Sequence, residues 1–247
     1  MSEYDAGHWA RARRERVWER ADSLEAFLIG ERTDMIVARV DDTPTRLPCR
    51  EYYRYRLDAL PRLVSRYLDC DDVAELGCGI GNNLFALSLA FPERHFLGLD
   101  ISPNGVETGR AIAAHFGLSD RVHFDFLDLA NASDPNFALL RDKCCLTFFC
   151  LEQIPYSIEG VVRNIARARP RRVLHVEPSA ELLDLRRPGD WANYAFVKSM
   201  DYQSGLFRLL PRLAATGELR LVQVGHAEFA PTLQNTGFTA VWEPAAQ

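Results

Sequence analysis

The chain lacks any long apolar run. The longest dense apolar stretch is CCLTFFCL, residues 144–151, whereas a helix that crosses a bilayer needs about 20 apolar residues. The first twenty residues, MSEYDAGHWARARRERVWER, contain no apolar core of the kind found in secretory signal peptides. The sequence therefore predicts no membrane span, no membrane partner and a cytoplasmic location.

Cysteine and histidine are present without the spacing of metal ligands. The six cysteines include no C-x-x-C pair and the six histidines no H-x-x-x-H pair, so we expect no metal site. The alternative left open is a magnesium site built from scattered carboxylates such as Glu177 and Asp201. An apolar run or a glycine-rich loop surrounds four cysteines, which favours buried reduced thiols over disulfides; these are Cys78, Cys144, Cys145 and Cys150.

Basic residues are fewer than acidic residues. The 247 residues contain 29 lysines and arginines against 34 aspartates and glutamates, for a net charge of −5, and 47% are hydrophobic. This composition excludes an intrinsically disordered chain and argues against broad binding to nucleic acids. Arginines cluster locally at residues 11–16, but glutamates interleave with them beside an apolar stripe. That pattern favours the solvated face of an amphipathic helix over a phosphate-binding patch.

The middle of the chain alternates β-like and helical stretches. The five β-like runs are residues 73–76, 95–100, 121–126, 144–150 and 171–177. Because crossover helices join parallel strands, this order predicts an α/β fold with a doubly wound, Rossmann-like, mainly parallel sheet. Two later runs, 219–224 and 238–243, are joined too tightly for a normal helical crossover. One of them is expected to pair antiparallel at the sheet edge.

Four segments follow from this order. We predict an N-terminal helical cap over residues 1–70 and a cofactor-binding α/β core over 71–179. A helical lid insertion is expected over 180–217, and terminal strands over 218–247 complete the core sheet. The length fits one large α/β domain with an appended lid.

A glycine-rich loop between the first predicted strand and its helix carries the most specific signal. It reads ELGCGIGNN, residues 75–83, and its glycines let a ligand approach the main chain closely. A dinucleotide site has the pattern G-x-G-x-x-G. This loop departs from it, because Gly81 comes one residue early and Asn82 follows. A tight structural turn and a nicotinamide-dependent oxidoreductase are the alternatives at this point.

Three acidic residues lie near predicted strand ends. Asp100 closes the second run, 19 residues after Gly81, where a carboxylate accepts hydrogen bonds from the ribose hydroxyls of a nucleoside. Glu75 stands two residues before the first glycine, and Asp128 follows the third run. A carboxylate at the mouth of the loop would repel a pyrophosphate. It would attract the ammonium group of an amino-acid cofactor.

At these residues the sequence resembles the class I S-adenosylmethionine-dependent methyltransferases. The resemblance covers roughly residues 73–178 and rests on four ordered elements. These are the glycine motif VAELGCGIGN, the second strand FLGLDIS, the third-strand acid in FLDL and the fourth strand with its turn, FFCLEQIP. The resemblance implies a methyltransferase that uses S-adenosylmethionine. A non-catalytic relative that only binds this cofactor is the alternative within the same fold.

The resemblance also implies roles at the methionyl end of the cofactor. The loop would cradle this end through Gly77, Cys78, Gly79, Gly81 and Asn82. Glu75 would lie near the ammonium group, and Tyr53, on a helix upstream, would close over the carboxylate. For Tyr53 the alternative is aromatic packing on an amphipathic helix.

The nucleoside end follows in the same way. Asp100 would hold the ribose hydroxyls and Ile101 would pack on the adenine. Asp128 would accept a hydrogen bond from the adenine amino group, beside Leu129. The structural alternatives are a helix cap for Asp128 and ordinary core packing for Ile101. Two residues at the tip of the fourth strand would lie under the sulfonium, Phe149 and Cys150.

Methyl transfer from a sulfonium requires alignment, and it requires a base only when the acceptor is protonated. The candidate bases are His226, which follows the run 219–224, and Glu177, which ends the fifth run. His175 is more typical of a buried core histidine. The family often has a histidine after the fourth strand, where this chain has Glu152 and Gln153, so no catalytic role is assigned there.

The acceptor is predicted to be a small or medium-sized molecule of apolar or aromatic character. Aromatic residues are frequent in the N-terminal and lid segments, which would cover the carboxyl edge of the sheet. The alternative is that these rings only pack the lid on the core. They are Tyr4, Trp9, Trp18, Trp191, Tyr194, Phe196, Tyr202 and Phe207.

Overall fold

The computed structural model describes residues 5–154, 158–202 and 204–245. Its strands are β1 (Met35–Val40), β2 (Thr43–Pro48), β3 (Asp72–Leu76), β4 (His95–Asp100), β5 (Val122–Phe126), β6 (Cys144–Phe148), β7 (Arg172–Pro178), β8 (Leu219–His226) and β9 (Gly237–Pro244). Its α-helices are α1 (Ala10–Glu15), α2 (Leu24–Ile29), α3 (Cys49–Tyr67), α4 (Asn82–Ala90), α5 (Pro103–His115), α6 (Ile158–Ala168), α7 (Pro188–Ser199) and α8 (Leu206–Ala215). Shorter helical turns cover Asp5–Trp9, Val17–Arg20, Pro135–Leu140 and Leu151–Gln153.

Seven strands form one sheet in the order β5-β4-β3-β6-β7-β9-β8. β3 to β7 are parallel, and β9 runs antiparallel to both of its neighbours. This confirms the predicted mainly parallel, Rossmann-like sheet, and the predicted antiparallel strand is β9, next to the outermost strand β8. The strand order changes direction between β3 and β6, and in such sheets ligands bind beside the carboxyl ends of the strands at that point.

Helices cover both faces of the sheet and create two apolar clusters. α3, α4 and α5 contribute to one cluster, and α6 and α8 to the other. α5 begins as its sequence predicts, because the Ser102 hydroxyl accepts a hydrogen bond from Gly105 N at 2.9 Å and Pro103 occupies the first turn. Among the described residues, no helix combines the length and apolar character needed to cross a membrane.

The N-terminal segment contains a β-hairpin that the sequence analysis did not predict. β1 and β2 pair antiparallel around Asp41 and Asp42, whose φ angles are 45° and 62°. Two consecutive residues with positive φ form the tight turn that matches the twist of a hairpin. Arg39 also pairs with Ala230, which attaches the hairpin to the chain after β8.

α8 packs as an ordinary crossover helix before β8, with Leu206, Phe207 and Leu210 buried against the sheet. Within residues 180–217, predicted as a lid, α8 is therefore part of the core. α7 and the loop before α8 are the parts that lie outside this core packing. The domain boundaries themselves stay a prediction.

The expectation that Cys144 is a reduced thiol is wrong. Cys70, after α3, and Cys144, at the start of β6, form a disulfide with a Cα–Cα distance of 6.0 Å, which suits such a bond. Sheet order explains the pairing, because the segment that enters β3 passes beside the first residue of β6. In the described part of the chain, one group of three potential metal ligands clusters within 4.8 Å, Asp69, Cys70 and Cys144. Both of its sulfurs are consumed by the disulfide, and the absence of a metal requirement stays a prediction.

Candidate active site

A cavity of about 1210 Å³ opens at the carboxyl ends of β3, β4 and β6. α3 and the N-terminal segment cover it from above, and Trp9 packs directly on the Gly79 backbone. Of the thirteen residues predicted to bind the cofactor, Gly81 is the one that does not line this cavity. The other twelve do: Tyr53, Glu75, Gly77, Cys78, Gly79, Asn82, Asp100, Ile101, Asp128, Leu129, Phe149 and Cys150.

The glycine loop has the tight backbone that its sequence predicts. Gly77 has φ +72°, and its N–H donates to Leu99 O at 2.7 Å. A Cβ at this position would lie 2.0 Å from Cys150 Sγ, so the loop and the tip of β6 touch. Gly81, with φ +88°, caps α4 and packs against Phe124. Its role is therefore to turn the chain and to bring α4 against β5.

Asp100 fixes the loop from the end of β4. One carboxylate oxygen accepts from Gly79 N at 2.7 Å, and the other accepts from Ser102 N at 2.8 Å. The backbone therefore fixes the orientation of the Asp100 carboxylate at the cavity.

Glu75 is a buried acid with one unsatisfied oxygen. Its Oε1 accepts from the Asn83 side-chain amide, while its Oε2 is buried and has no hydrogen-bond partner. Burial raises the pKa of Glu75 from 4.5 to about 8, because a desolvated carboxylate is unfavourable. A buried acceptor without a donor is costly. It is satisfied when a ligand brings a cationic donor.

Arg56 is a site residue that the sequence analysis missed. It lies on α3 and lines the cavity, and its guanidinium donates to Asn83 Oδ1 and stands 5.4 Å above the Phe148 ring. Arg56 follows Tyr52 by four residues and Tyr53 by three, so all three share one helix face. That spacing is the signal by which the sequence could have indicated it.

The chain after β4 and β5 contributes a further part of the cavity lining. Ile101 is 50% exposed there, which leaves an apolar surface for a ring to pack on. Asp128 Oδ1 accepts from Ala130 N at 2.9 Å, and Leu129, the next residue, is buried. The predicted nucleoside-binding residues Asp100, Ile101, Asp128 and Leu129 thus all line the cavity, while their roles stay predictions.

The comparisons with known proteins agree with this geometry. Residues 70–168 match a protein family described as a methyltransferase domain. Residues 70–168 of this chain are therefore a methyltransferase domain. The match covers β3 to α6 and therefore the glycine loop, Asp100 and Asp128, as predicted from the class I S-adenosylmethionine-dependent methyltransferases. A search of curated protein sequences finds no match to the chain.

Solved structures share the fold of this methyltransferase domain at low identity. The [4+2]-cyclase SpnF is 14% identical with a TM-score of 0.61, over 91% of this chain and 93% of that one. Geranyl diphosphate C-methyltransferase from Streptomyces coelicolor A3(2) is 11% identical with a TM-score of 0.56, over 94% and 98%. Magnesium protoporphyrin IX methyltransferase from Synechocystis PCC 6803 with bound S-adenosylhomocysteine is 13% identical with a TM-score of 0.53, over 79% and 85%.

S-adenosylmethionine, the cofactor of this domain type, fits the residues present. The unsatisfied Glu75 Oε2 suits the ammonium group of the cofactor, and the Arg56 guanidinium suits its carboxylate. Asp100 lines the same cavity, and both Asp100 and Arg56 lie close enough to Glu75 to influence its pKa.

The two predicted catalytic residues do not line the cavity of the methyltransferase domain. His226 is exposed at the end of β8, with its Nε2 2.9 Å from Asp42 Oδ2 in the hairpin turn. Glu177 is 2% exposed and accepts from the backbone N–H groups of Cys150 and Leu151, each at 3.1 Å. Its neighbour Glu152 does line the cavity, as Glu31 and Glu75 also do.

The predicted aromatic covering is partly present. Trp9 and Tyr202 line the cavity. Trp18 and Phe207 are buried in the core, and Trp191 is exposed. The remaining two described residues of the set, Tyr194 and Phe196, are not among the lining residues. Tyr4 lies outside the described residues.

Proposed function

We propose that the protein transfers the methyl group of S-adenosylmethionine, in line, to a small or medium-sized acceptor with an apolar or aromatic body. The observation that carries this proposal is the combination of Glu75, Arg56 and Asp100 at one end of a cavity of about 1210 Å³. Pockets of about 300 to 1,000 Å³ hold a single drug-sized ligand. This cavity therefore has room for a second molecule beside the cofactor.

The part of the cavity that is left for the acceptor is mainly apolar. Its lining includes Phe27, Leu28, Ile29, Phe148, Ile154 and Phe229. Apolar walls exclude water from the reacting atoms and favour an acceptor of similar character. A small-molecule acceptor is consistent with these walls, while a cytoplasmic location and the lack of a nucleic-acid partner stay predictions.

Methyl transfer requires little from the protein beyond alignment of the acceptor with the cofactor. The cofactor supplies the methyl group from its sulfonium. The Gly77 and Gly79 backbone, Glu75 and Arg56 fix the amino-acid end, and Asp100 fixes the ribose. Holding the acceptor in line with the sulfur–methyl bond lowers the entropic part of the barrier, a term that reaches several kcal/mol.

Calorimetric titration and turnover test the proposal. S-adenosylmethionine and S-adenosylhomocysteine should both bind, and nicotinamide dinucleotides should not. Binding of a dinucleotide in place of the two adenosyl compounds would support an oxidoreductase instead. A panel of phenols, amines and apolar hydroxy compounds is then incubated with cofactor labelled in the methyl group. Tight cofactor binding with no labelled product from any compound would favour the non-catalytic relative.

Replacing Asp100 by alanine should weaken binding of S-adenosylmethionine by roughly 1.5 to 3 kcal/mol. The change removes a charged acceptor from the ribose hydroxyls and frees Gly79 N, which Asp100 now holds. Calorimetry measures the difference, and Asp125→Ala is the matched control, because Asp125 lies outside the cavity lining. Unchanged affinity in folded Asp100→Ala would contradict the assignment.

A further inference from the structure

A chain of buried hydrogen bonds runs from the middle of the sheet towards the cavity. It starts at Trp242 on β9, whose indole N–H donates to His175 Nε2 at 2.8 Å. His175 Nδ1 lies 2.8 Å from Thr147 Oγ1 on β6. All three residues are fully buried, and burial lowers the pKa of His175 to about 3, so its ring is neutral. Because Nε2 accepts, the single ring proton is on Nδ1 and is donated to Thr147.

The chain continues from Thr147 to a buried acid. The Thr147 hydroxyl accepts from His175 and hydrogen-bonds the Glu177 carboxyl on the neighbouring strand. The hydroxyl hydrogen is therefore directed at Glu177. The backbone N–H groups of Cys150 and Leu151 donate to the same carboxyl. Three donors thus fix the position of Glu177 behind the tip of β6.

Glu177 lies close enough to Glu152 for the two acids to shift each other's pKa. Glu152 is 4% exposed and lies in the cavity wall, and its buried Oε2 has no hydrogen-bond partner. Two carboxyl groups in contact in a buried place cannot both be ionised, so they share one proton. Burial raises the pKa of both. Glu152 raises the pKa of Glu177 further, whereas Glu177 lowers the pKa of Glu152, so the shared proton resides on Glu177 and Glu152 is the ionised partner. The pair behaves as one group with a single negative charge.

The surroundings leave this negative charge uncompensated. The buried Cys150 thiol lies near Glu177, Glu152, Asp100 and Glu75, whose negative charges all raise its pKa. Arg56 acts on Glu75. In the part of the chain that the structure describes, no arginine or lysine is paired with Glu152 or Glu177. A group entering from the cavity is what remains to neutralise the pair.

We propose that Glu152 accepts the proton that the nucleophilic atom of the acceptor loses during methylation, with Glu177, Thr147 and His175 as the residues that position it. This inference rests on the proposed methyl transfer. Glu177 alone would be enough to hold the turn after β6 through the backbone N–H groups. Glu152 is not needed for that structural role, and Glu152 is the acid that reaches the cavity.

The step balances without any additional reactant. The lone pair of an acceptor oxygen or nitrogen forms the new bond to the methyl carbon, and the electrons of the sulfur–carbon bond stay on sulfur as the cofactor becomes a neutral thioether. The O–H or N–H bond breaks, and its proton passes to Glu152. The pair holds one proton before the step and two after it. The acceptor is therefore a hydroxyl or amine compound with an apolar body.

Infrared spectroscopy of protein labelled with carboxyl-13C glutamate tests the pair without an acceptor. The protein is measured near pH 7 with S-adenosylhomocysteine bound, so that the ligand's ammonium group keeps Glu75 ionised. The pH at which the protonated-carboxyl band disappears should fall in Glu152→Gln and also in Glu177→Gln, because either change leaves one buried acid where two shared a proton. It should be unchanged in the exposed-residue control Glu218→Gln. A wild-type protein without the band, or a midpoint that is unchanged in Glu152→Gln, would overturn the proposal.

Thr147 gives the test of positioning. Thr147→Val keeps the shape but removes the hydroxyl, so it should shift the pH at which the band disappears, and Thr147→Ser should restore the wild-type midpoint. Affinity for S-adenosylhomocysteine should be unchanged in both. A midpoint that is identical in Thr147→Val would remove the hydrogen-bond chain from the proposal. If wild-type protein fails to bind S-adenosylmethionine at all, it is the proposed function that fails.

Single-turnover kinetics completes the experiment with the phenol or amine that the panel identifies. The wild-type rate should rise with pH as the doubly protonated pair loses the first of its two protons, because one of the two carboxyl groups must be unprotonated to act as the base. Glu152→Gln should lower the rate about 100-fold and remove that limb of the profile. An unchanged rate with unchanged pH dependence would exclude Glu152 as the base.

Discussion

Glu75→Gln should reduce the affinity for S-adenosylmethionine by about 3 to 5 kcal/mol, which is roughly a hundredfold to several thousandfold. The glutamine has the same shape, and its oxygen still accepts from Asn83 as Glu75 Oε1 does now. What it lacks is the negative charge for the buried ammonium group of the cofactor. Calorimetry measures the loss, and Glu51→Gln, an exposed acid paired with Arg54, is the control that should change nothing.

Proton release gives the same residue a second signature. With a pKa of about 8 in the free protein, Glu75 is mostly protonated near pH 7. The cofactor's ammonium group favours the carboxylate, so binding must release a proton, and affinity must increase as the pH rises towards 8. Titrations in buffers of different ionisation enthalpy count the released protons. The same proton count in Glu75→Gln, or an affinity independent of pH below 8, would be incompatible with this assignment.

In the protein without cofactor, Glu75 should lower the free energy of unfolding. An acid whose pKa is raised by folding binds more protons in the folded state than in the unfolded state, so stability falls as the pH rises from about 4.5 to about 8. Above that pH range the loss of folding stability no longer increases. Without cofactor, Glu75→Gln should therefore unfold at a higher temperature than the wild type at alkaline pH. A site that binds its ligand through an unsatisfied buried charge is destabilised until the ligand arrives.

The sequence indicates the parts of this site that depend on local geometry. The glycine loop, Asp100 and Asp128 lie directly after strands that are contiguous in the chain, and parallel strands bring their carboxyl ends to one edge. The helix that carries Arg56 was predicted from the sequence. Arg56 itself was missed because the helix face of Tyr53 was not extended by one more turn. The hairpin was missed because Asp41 and Asp42 do not form the Asn-Gly or Asp-Gly pair typical of such turns.

The catalytic assignment depends on sheet order, which the sequence does not reveal. His226 ends a strand at the same edge as Asp100, and that made it a candidate. Two strands separate β8 from β6, however, which places it about 14 Å to the side at ~4.8 Å per strand. The contact between Glu152 and Glu177 arises for the converse reason, because β6 and β7 are neighbours in space. Residues distant in the chain meet or separate according to pairing that local patterns do not specify.

Gly77→Ala should be the most disruptive small substitution in the site. At φ +72° an alanine costs about 1 to 2 kcal/mol from its conformation alone. Its Cβ would also lie 2.0 Å from Cys150 Sγ and 2.7 Å from Cys150 Cβ. The loop cannot withdraw, because Gly77 N is bonded to Leu99 O at 2.7 Å. Overpacking of this kind adds about 1 to 3 kcal/mol, so we expect a total loss of roughly 2 to 5 kcal/mol in folding stability, together with loss of cofactor binding.

Gly217→Ala separates the two causes. Gly217 has φ +75° and no atom within 4 Å of its ideal Cβ, so urea unfolding of this variant measures the conformational cost alone. The excess loss in Gly77→Ala is then the contact with Cys150. Cys150→Ala removes the sulfur from that contact and should recover part of the excess in the double variant, as a positive coupling in the double-mutant cycle. If Gly77→Ala loses no more stability than Gly217→Ala, the loop is free to move away from β6 and does not hold the cofactor in a fixed position.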